Sequence, residues 1–177
     1  MITDKEKKTR ISCFRNKLRF NLLTTRFTNK TWEENKSYRE KIENVKCIYC
    51  SPDPMPKSIP YNSIVFILEM NNSENKIMGI GMVKNHAICD KYKIYEKENY
   101  NRYVYRGKNR IDRSELNKDE LEIIEIFDIL CFKGYNHQKR SQGIKGFPFK
   151  MLYNIYEKMN LNLVGKISEM FKRRITT

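Results

Sequence analysis

No apolar stretch in this sequence is long enough to span a bilayer. The longest, Ile64 to Leu68, is strand-sized. Motifs that would announce a reaction are missing as well. There is no GxSxG, HExxH or DxD, and no GxxxxGK[ST] loop to cradle a nucleoside triphosphate. Only two histidines, His86 and His137, offer a general acid or base near neutral pH. The five cysteines (13, 47, 50, 89, 131) are odd in number, and MITDKEKKTR carries no apolar signal core. Free thiols in a reducing, cytoplasmic compartment are therefore expected. Acidic residues are in deficit: 35 Lys and Arg face 21 Asp and Glu, a net charge of +14. Such a field draws polyanions, nucleic acid first and anionic membrane surfaces second. A lysine-rich, AT-biased composition would raise the charge without any partner.

The basic residues are not evenly spread. Tyr100 to Arg113, YNRYVYRGKNRIDR, interleaves three tyrosines with five cations, and Asp112 is its only acid. His137 to Lys150 holds four cations and no acid. Between them Glu115 to Asp128 carries six acids against Lys118. The segregation predicts two positive walls with an acidic helix turned elsewhere; the plainer reading is that the basic segments pair with that helix. On the first wall Arg102, Arg106, Lys108 and Arg110 would meet phosphates, and Tyr103 and Tyr105 would stack bases. On the second stand His137, Lys139, Arg140 and Lys145. Glycines 143 and 146 there suggest a phosphate cradle ahead of a helix starting at Pro148.

Periodicity supplies the frame. Residues 1–30 read as a basic N-terminal arm or helix, with Ile11, Phe14, Leu18 and Leu22 at three- and four-residue spacing. Thr31-Trp-Glu-Glu34 reads as a capping box opening a helix to about Glu43. Val45–Cys50 is strand-like, and SPDPMPKSIP, with four prolines in ten residues, is a loop. Ser63–Met70 and Lys76–Val83 form a hairpin across Asn71–Asn75. Gly79 and Gly81 share one face of its second strand, so something approaches that bare face closely: a packed element, or a ligand base. Lys91–Tyr95 and Tyr100–Tyr105 are further strands. Asn117-Lys-Asp-Glu120 caps a helix from Lys118 to about Cys131, and two helices follow Pro148. The expected fold is α+β: a 31–160 core with a small, mostly antiparallel sheet curled toward a barrel, then a basic helix over 161–177.

Three further sets of residues are candidates. Cys47-x-x-Cys50 and His86-x-x-Cys89 have zinc pair spacing, against which buried free thiols are the ordinary reading. Trp32, the lone tryptophan, is a core plug or a pocket-lining ring. His137 beside Lys139 and Arg140 would serve a nuclease-like enzyme, the alternative to pure binding; no cofactor is implied. Glu69, at the end of an apolar strand, is either a buried carboxylate or an exposed alternate.

KIMGIGMVKN followed by the tyrosine-rich YNRYVYRGKNRI resembles the PUA-like superfamily, which includes EVE, YTH and ASCH domains. The resemblance spans roughly Trp32 to Phe147. It implies a curled sheet flanked by helices that binds RNA or modified bases between sheet and helix. The Asn-, Lys- and Ile-rich style also looks like proteins of large cytoplasmic DNA viruses. A virion-associated assembly role with basic protein contacts is the second alternative.

Overall fold

The computed structural model describes residues 3–88 and 92–176. The described chain divides into two compact units. One is helical, made of residues 1–21 and 148–177; the other is the α+β unit, residues 22–147. The first helix and the last two thus fall in one unit, and the core does not start at residue 31 or run to 160.

In the helical unit, α1 (Asp4–Lys17) opens on a capping box in which Thr3 and Glu6 exchange hydrogen bonds. It buries only Phe14. That ring stacks on Tyr156 at 4.5 Å and meets Phe149 at 5.6 Å, both on α4 (Phe149–Met159). Arg15 lies over the Phe149 ring and Lys17 over Tyr156. Asn160 ends α4 in the left-handed conformation, and Asn162 caps α5 (Leu163–Ile175) by accepting from the Gly165 N–H. One face of α5, including Leu163, Val164, Ile167, Met170 and Phe171, is buried.

The α+β unit starts with a strand where the helical spacing of Leu18 and Leu22 predicts a continuing helix. β1 (Asn21–Phe27) is followed by α2 (Asn29–Glu40), whose N-cap is Thr28 rather than Thr31. Thr28 and Thr31 form the reciprocal box, which leaves Glu34 free for another task. β2 (Cys47–Ser51) follows, then the hairpin β3 (Ile64–Asn71) and β4 (Lys76–Lys84), then β5 (Tyr103–Gly107) and β6 (Asn109–Asp112). α3 (Lys118–Phe132) carries the Asn117–Glu120 capping box, and β7 (Lys145–Gly146) ends the unit.

Five strands form one sheet in the order β6-β4-β3-β1-β7, while β2 and β5 pair separately. The Asn72 N–H, just past β3, donates to the Phe27 carbonyl at the end of β1. Those two strands run the same way, so the sheet is mixed. The expected curl toward a barrel is corrected: the sheet is open, with β6 and β7 at its edges. The chain passes between the sheets at Gly107–Lys108, so one continuous strand signal is two strands on two sheets. The approach is tight, because a Cβ on Gly107 would run into the Met82 carbonyl.

A strand over 91–95 is also corrected for its described part, residues 92–95. Ile94 and Tyr95 are buried, but their N–H groups both donate to the Asn101 side-chain oxygen at 3.0 and 2.9 Å. One amide side chain replaces the ladder a neighbouring strand would supply. The start of the next expected strand, Tyr100, belongs to a short 3-10 turn (Glu98–Asn101).

Candidate nucleic-acid interface

The glycine notch of β4 is filled from within. Glu69 on β3 is fully buried. Arg110 on β6 grips it with Nε and Nη2 at 2.9 and 2.7 Å, and the Tyr49 hydroxyl of β2 donates to it at 2.6 Å. A Cβ on Gly79 would stand 2.6 Å from Arg110 Nη2, and one on Gly81 would stand 2.6 Å from Tyr49 Cζ. The bare face predicted from two glycines is therefore the seat of an ion pair and a phenol, and no ligand base enters it.

Arg39 of α2 adds a second cation, its Nη1 3.7 Å from Glu69 and without a hydrogen-bond partner among the described residues. Asp112, partly exposed, accepts from Arg110 at 2.8 Å. Two carboxylates thus neutralise two guanidinium groups. Burial opposes the charge on Arg110, but Glu69 outweighs it and raises the guanidinium pKa. Burial, with Glu69 beside it, drives the Tyr49 phenol well up. Trp32 lies against both guanidinium groups, 5.0 Å from Arg39 and 5.5 Å from Arg110, and takes Phe27 edge-on. Three of the expected ligand contacts are accordingly reassigned. Arg110 holds Glu69, Trp32 is core, and Tyr105 is buried with its hydroxyl accepting from the Met55 N–H at 3.0 Å.

The remaining first-wall residues stay outside. Arg102 and Lys108 are exposed, and Arg102 lies over the half-buried Tyr103 ring. Arg106 is exposed and donates to the Tyr92 hydroxyl at 3.0 Å. Arg106 and Lys108 flank a groove at the sheet-crossing corner, joined there by Lys84 of β4, with Glu43 the one acid on the wall. Lys84 has no basic neighbour in sequence to mark it.

The second wall is a seated loop. Arg26 Nε donates to the Gln138 carbonyl at 2.5 Å, and Asn72 Nδ2 to the Lys139 carbonyl at 3.1 Å. Lys139 Nζ reaches the Asn75 side-chain oxygen, and the Ile144 N–H reaches Ser51 Oγ. Arg26 Nη1 and Asn72 Oδ1 remain buried without partners among the described residues. His137 Nδ1 accepts from the Lys139 N–H at 3.3 Å, a contact inside the loop. The two walls are not one cleft in the sense predicted. Ser51 pairs with Tyr103 at one end of β5, so the loop lies near Tyr103, while Arg106 and Lys108 serve the corner at the other end.

Neither wall is neutralised by the acidic helix. Arg102, Arg106, Lys108, Lys139, Arg140 and Lys145 make no ion pair with a described residue. Among the described residues one ion pair, Arg113 with Asp128 at 2.8 Å, joins a basic segment to α3.

The zinc set is not assembled in what is described. Cys89 lies outside the described residues, and no group of three metal-ligating side chains occurs among the rest. Cys47 Sγ turns toward the Asn109 carbonyl, while Cys50 lines a different cavity, as three-residue spacing on a strand requires. Burial pushes both thiols up to about 12. His86 is exposed and bonded to Tyr61.

That cavity, of about 320 Å³, is a further concavity of the α+β unit. It is bounded by the end of β1, the first turn of α2, and the Tyr95–Tyr100 segment. Its lining includes Gly143 of the basic loop, Cys50 of the zinc set and Tyr100, the first residue of the tyrosine-rich stretch, with Thr31, Glu34 and Tyr95, which the sequence offers only as cap and strand residues.

No family model matches this chain, and neither a curated protein nor a solved structure matches it.

Proposed function

We propose that this is a nucleic-acid-binding protein that acts by contact rather than by catalysis, with RNA favoured over DNA. The observation that carries the reading is the distribution of unneutralised charge. The helical unit holds thirteen Lys and Arg against four acids, a net +9, and the α+β unit only +5. Lys5, Lys7, Lys8 and Arg10 are exposed on α1 and make no ion pair with a described residue. Exposed cations left unpaired are what phosphates condense on, and a helix that buries a single ring is spare for such contact. The corner groove of Arg106, Lys108 and Lys84, and the loop of Lys139, Arg140 and Lys145, are secondary contacts on the other unit. A PUA-like ancestry belongs to this proposal; its support is the KIMGIGMVKN strand, which pairs with the second half of YNRYVYRGKNRI as β4 with β6.

Fluorescence anisotropy with a labelled single strand tests the reading. Binding is expected to weaken with a log–log salt slope near −0.7 per phosphate neutralised. No binding at low salt, or a flat salt dependence, would exclude it. Capture of protein partners that survives nuclease would instead favour an assembly protein with basic contact surfaces.

A further inference from the structure

We propose that the cavity at the end of β1 binds a mononucleotide, its ring against Tyr100 and its phosphate between Lys30 and Lys97. The proposal rests on the nucleic-acid reading for the kind of ring, and on the cavity itself for the rest. Its volume, about 320 Å³, suits one nucleotide and little more.

The strongest pointer to a ligand is a pair of orphaned polar atoms. Arg26 Nη1 and Asn72 Oδ1 are buried without hydrogen-bond partners among the described residues, and both residues line the cavity. Thr25 of β1, only 4 % exposed, lines it beside them. Polar groups sheltered from bulk water and unmatched by protein want a partner. The wall around them has both characters a nucleotide needs. Phe27 and the half-buried Tyr100 offer ring surface, and stacking on such rings tolerates any base. Lys30 and Lys97 stand exposed on the same wall. Lys30 is engaged by Glu96 at 2.5 Å, but both ends of that pair are largely in solvent, so the bond is weak and a phosphate dianion can take the carboxylate's place. Glu34, the other acid of the wall, favours ligands that also bring a donor, such as a ribose hydroxyl or an exocyclic amine.

The test uses the full chain and 15N-resolved NMR at low salt. Titrations with AMP, GMP, CMP and UMP are expected to shift the amides of Thr25, Lys97 and Tyr100, and the matching nucleosides to bind at least fivefold more weakly. Tyr100→Leu should weaken nucleotide binding at least tenfold, while Tyr100→Phe retains it. Lys30→Gln with Lys97→Gln should erase the preference for nucleotide over nucleoside, and Thr25→Val, which keeps the volume, should lower affinity several-fold. A hexamer with a 5′-phosphate that competes with the mononucleotide identifies a strand end as the source; absence of competition identifies the free nucleotide. No shift with any of the four at millimolar concentration overturns the proposal, and so does a nucleoside that binds as tightly as its nucleotide. A protein that binds long strands but ignores mononucleotides overturns the cavity assignment alone. One that binds mononucleotides but no strand overturns the charge reading alone.

Discussion

Glu69 carries more of the α+β unit's specificity than any catalytic candidate does of a reaction. Its oxygens take a bidentate guanidinium, a phenol and the field of a second guanidinium, all sheltered from water. Glu69→Gln keeps the shape but leaves Arg110 and Arg39 facing a neutral amide, and breaking one side of such a buried pair costs about 3–5 kcal/mol. Urea unfolding should register that loss, whereas a cost below about 1 kcal/mol would mean the pair is solvated. Gly81→Ala should be comparably damaging, because the new methyl meets the Tyr49 ring and hydroxyl. Adding Tyr49→Phe should return part of that loss by removing the nearest atom. The buried thiols make a pH prediction. Burial raises Cys47, Cys50 and Cys131 to about 12 in the folded state. Each therefore favours folding fully below the ordinary thiol pKa of about 8.5, and that contribution fades as pH climbs toward 12. Stability should fall from about pH 9 upward, and Cys131→Ala should flatten the fall. Cys13, exposed on α1, should be modified rapidly by a thiol reagent in native protein at about pH 8, and Cys47, Cys50 and Cys131 only on unfolding.

Among the elements, α3 shows what a local signal can specify. Asn117 and Glu120 exchange hydrogen bonds at 3.0 and 3.1 Å, so Asn117→Ala should cost about 1 kcal/mol, read as a lowered urea midpoint. The capping pattern and the stripe of Ile124, Phe127 and Cys131 are visible in the sequence because helix rules act within four residues. The β3–β4 hairpin is legible for the same reason. β1 is not, because Leu18 and Leu22 keep a helical interval across the helix end and the strand has only seven residues. The cap of α2 is misread by three positions, since Thr31 with Glu34 fits the box pattern better than Thr28 with Thr31 does. The site is less legible still. Gly79 and Gly81 announce a close approach, but the atoms that make it come from Tyr49 on the other sheet and from Arg110 through the β4–β6 register. Neither pairing is local, so the sequence favours a packed element over a ligand without naming the atoms that approach. The cavity beside Thr25 is not legible as a site, although Cys50, Tyr100 and Gly143 are each visible singly, because it is assembled from the end of a strand, a helix turn and two distant loops.

At the scale of the whole molecule the two units differ in charge, +9 for the helical unit against +5 for the α+β unit. The tyrosine-rich stretch draws attention because it is dense, yet two of its members, Tyr105 and Arg110, serve the core. The helical unit is less conspicuous in sequence because its cations are split between the two ends of the chain and only the fold unites them. That division yields a comparison of two variants. Replacing Lys5, Lys7, Lys8 and Arg10 by Gln removes four unpaired cations from one helix, while Arg106→Ala with Arg140→Ala removes one from each wall of the α+β unit. Each phosphate that is no longer neutralised should reduce the salt slope on a single strand by about 0.7. The α1 variant should therefore flatten the slope by up to about 3, and the wall variant by up to about 1.5. Both should retain their far-ultraviolet circular dichroism, since none of the six residues makes an ion pair with a described residue. If the wall variant flattens the slope more than the α1 variant does, the principal contact lies on the α+β unit and the emphasis on the helical unit is wrong. Equal slopes in both variants and the native chain would place the contact on neither surface, and would leave the cations as plain solubilising charge.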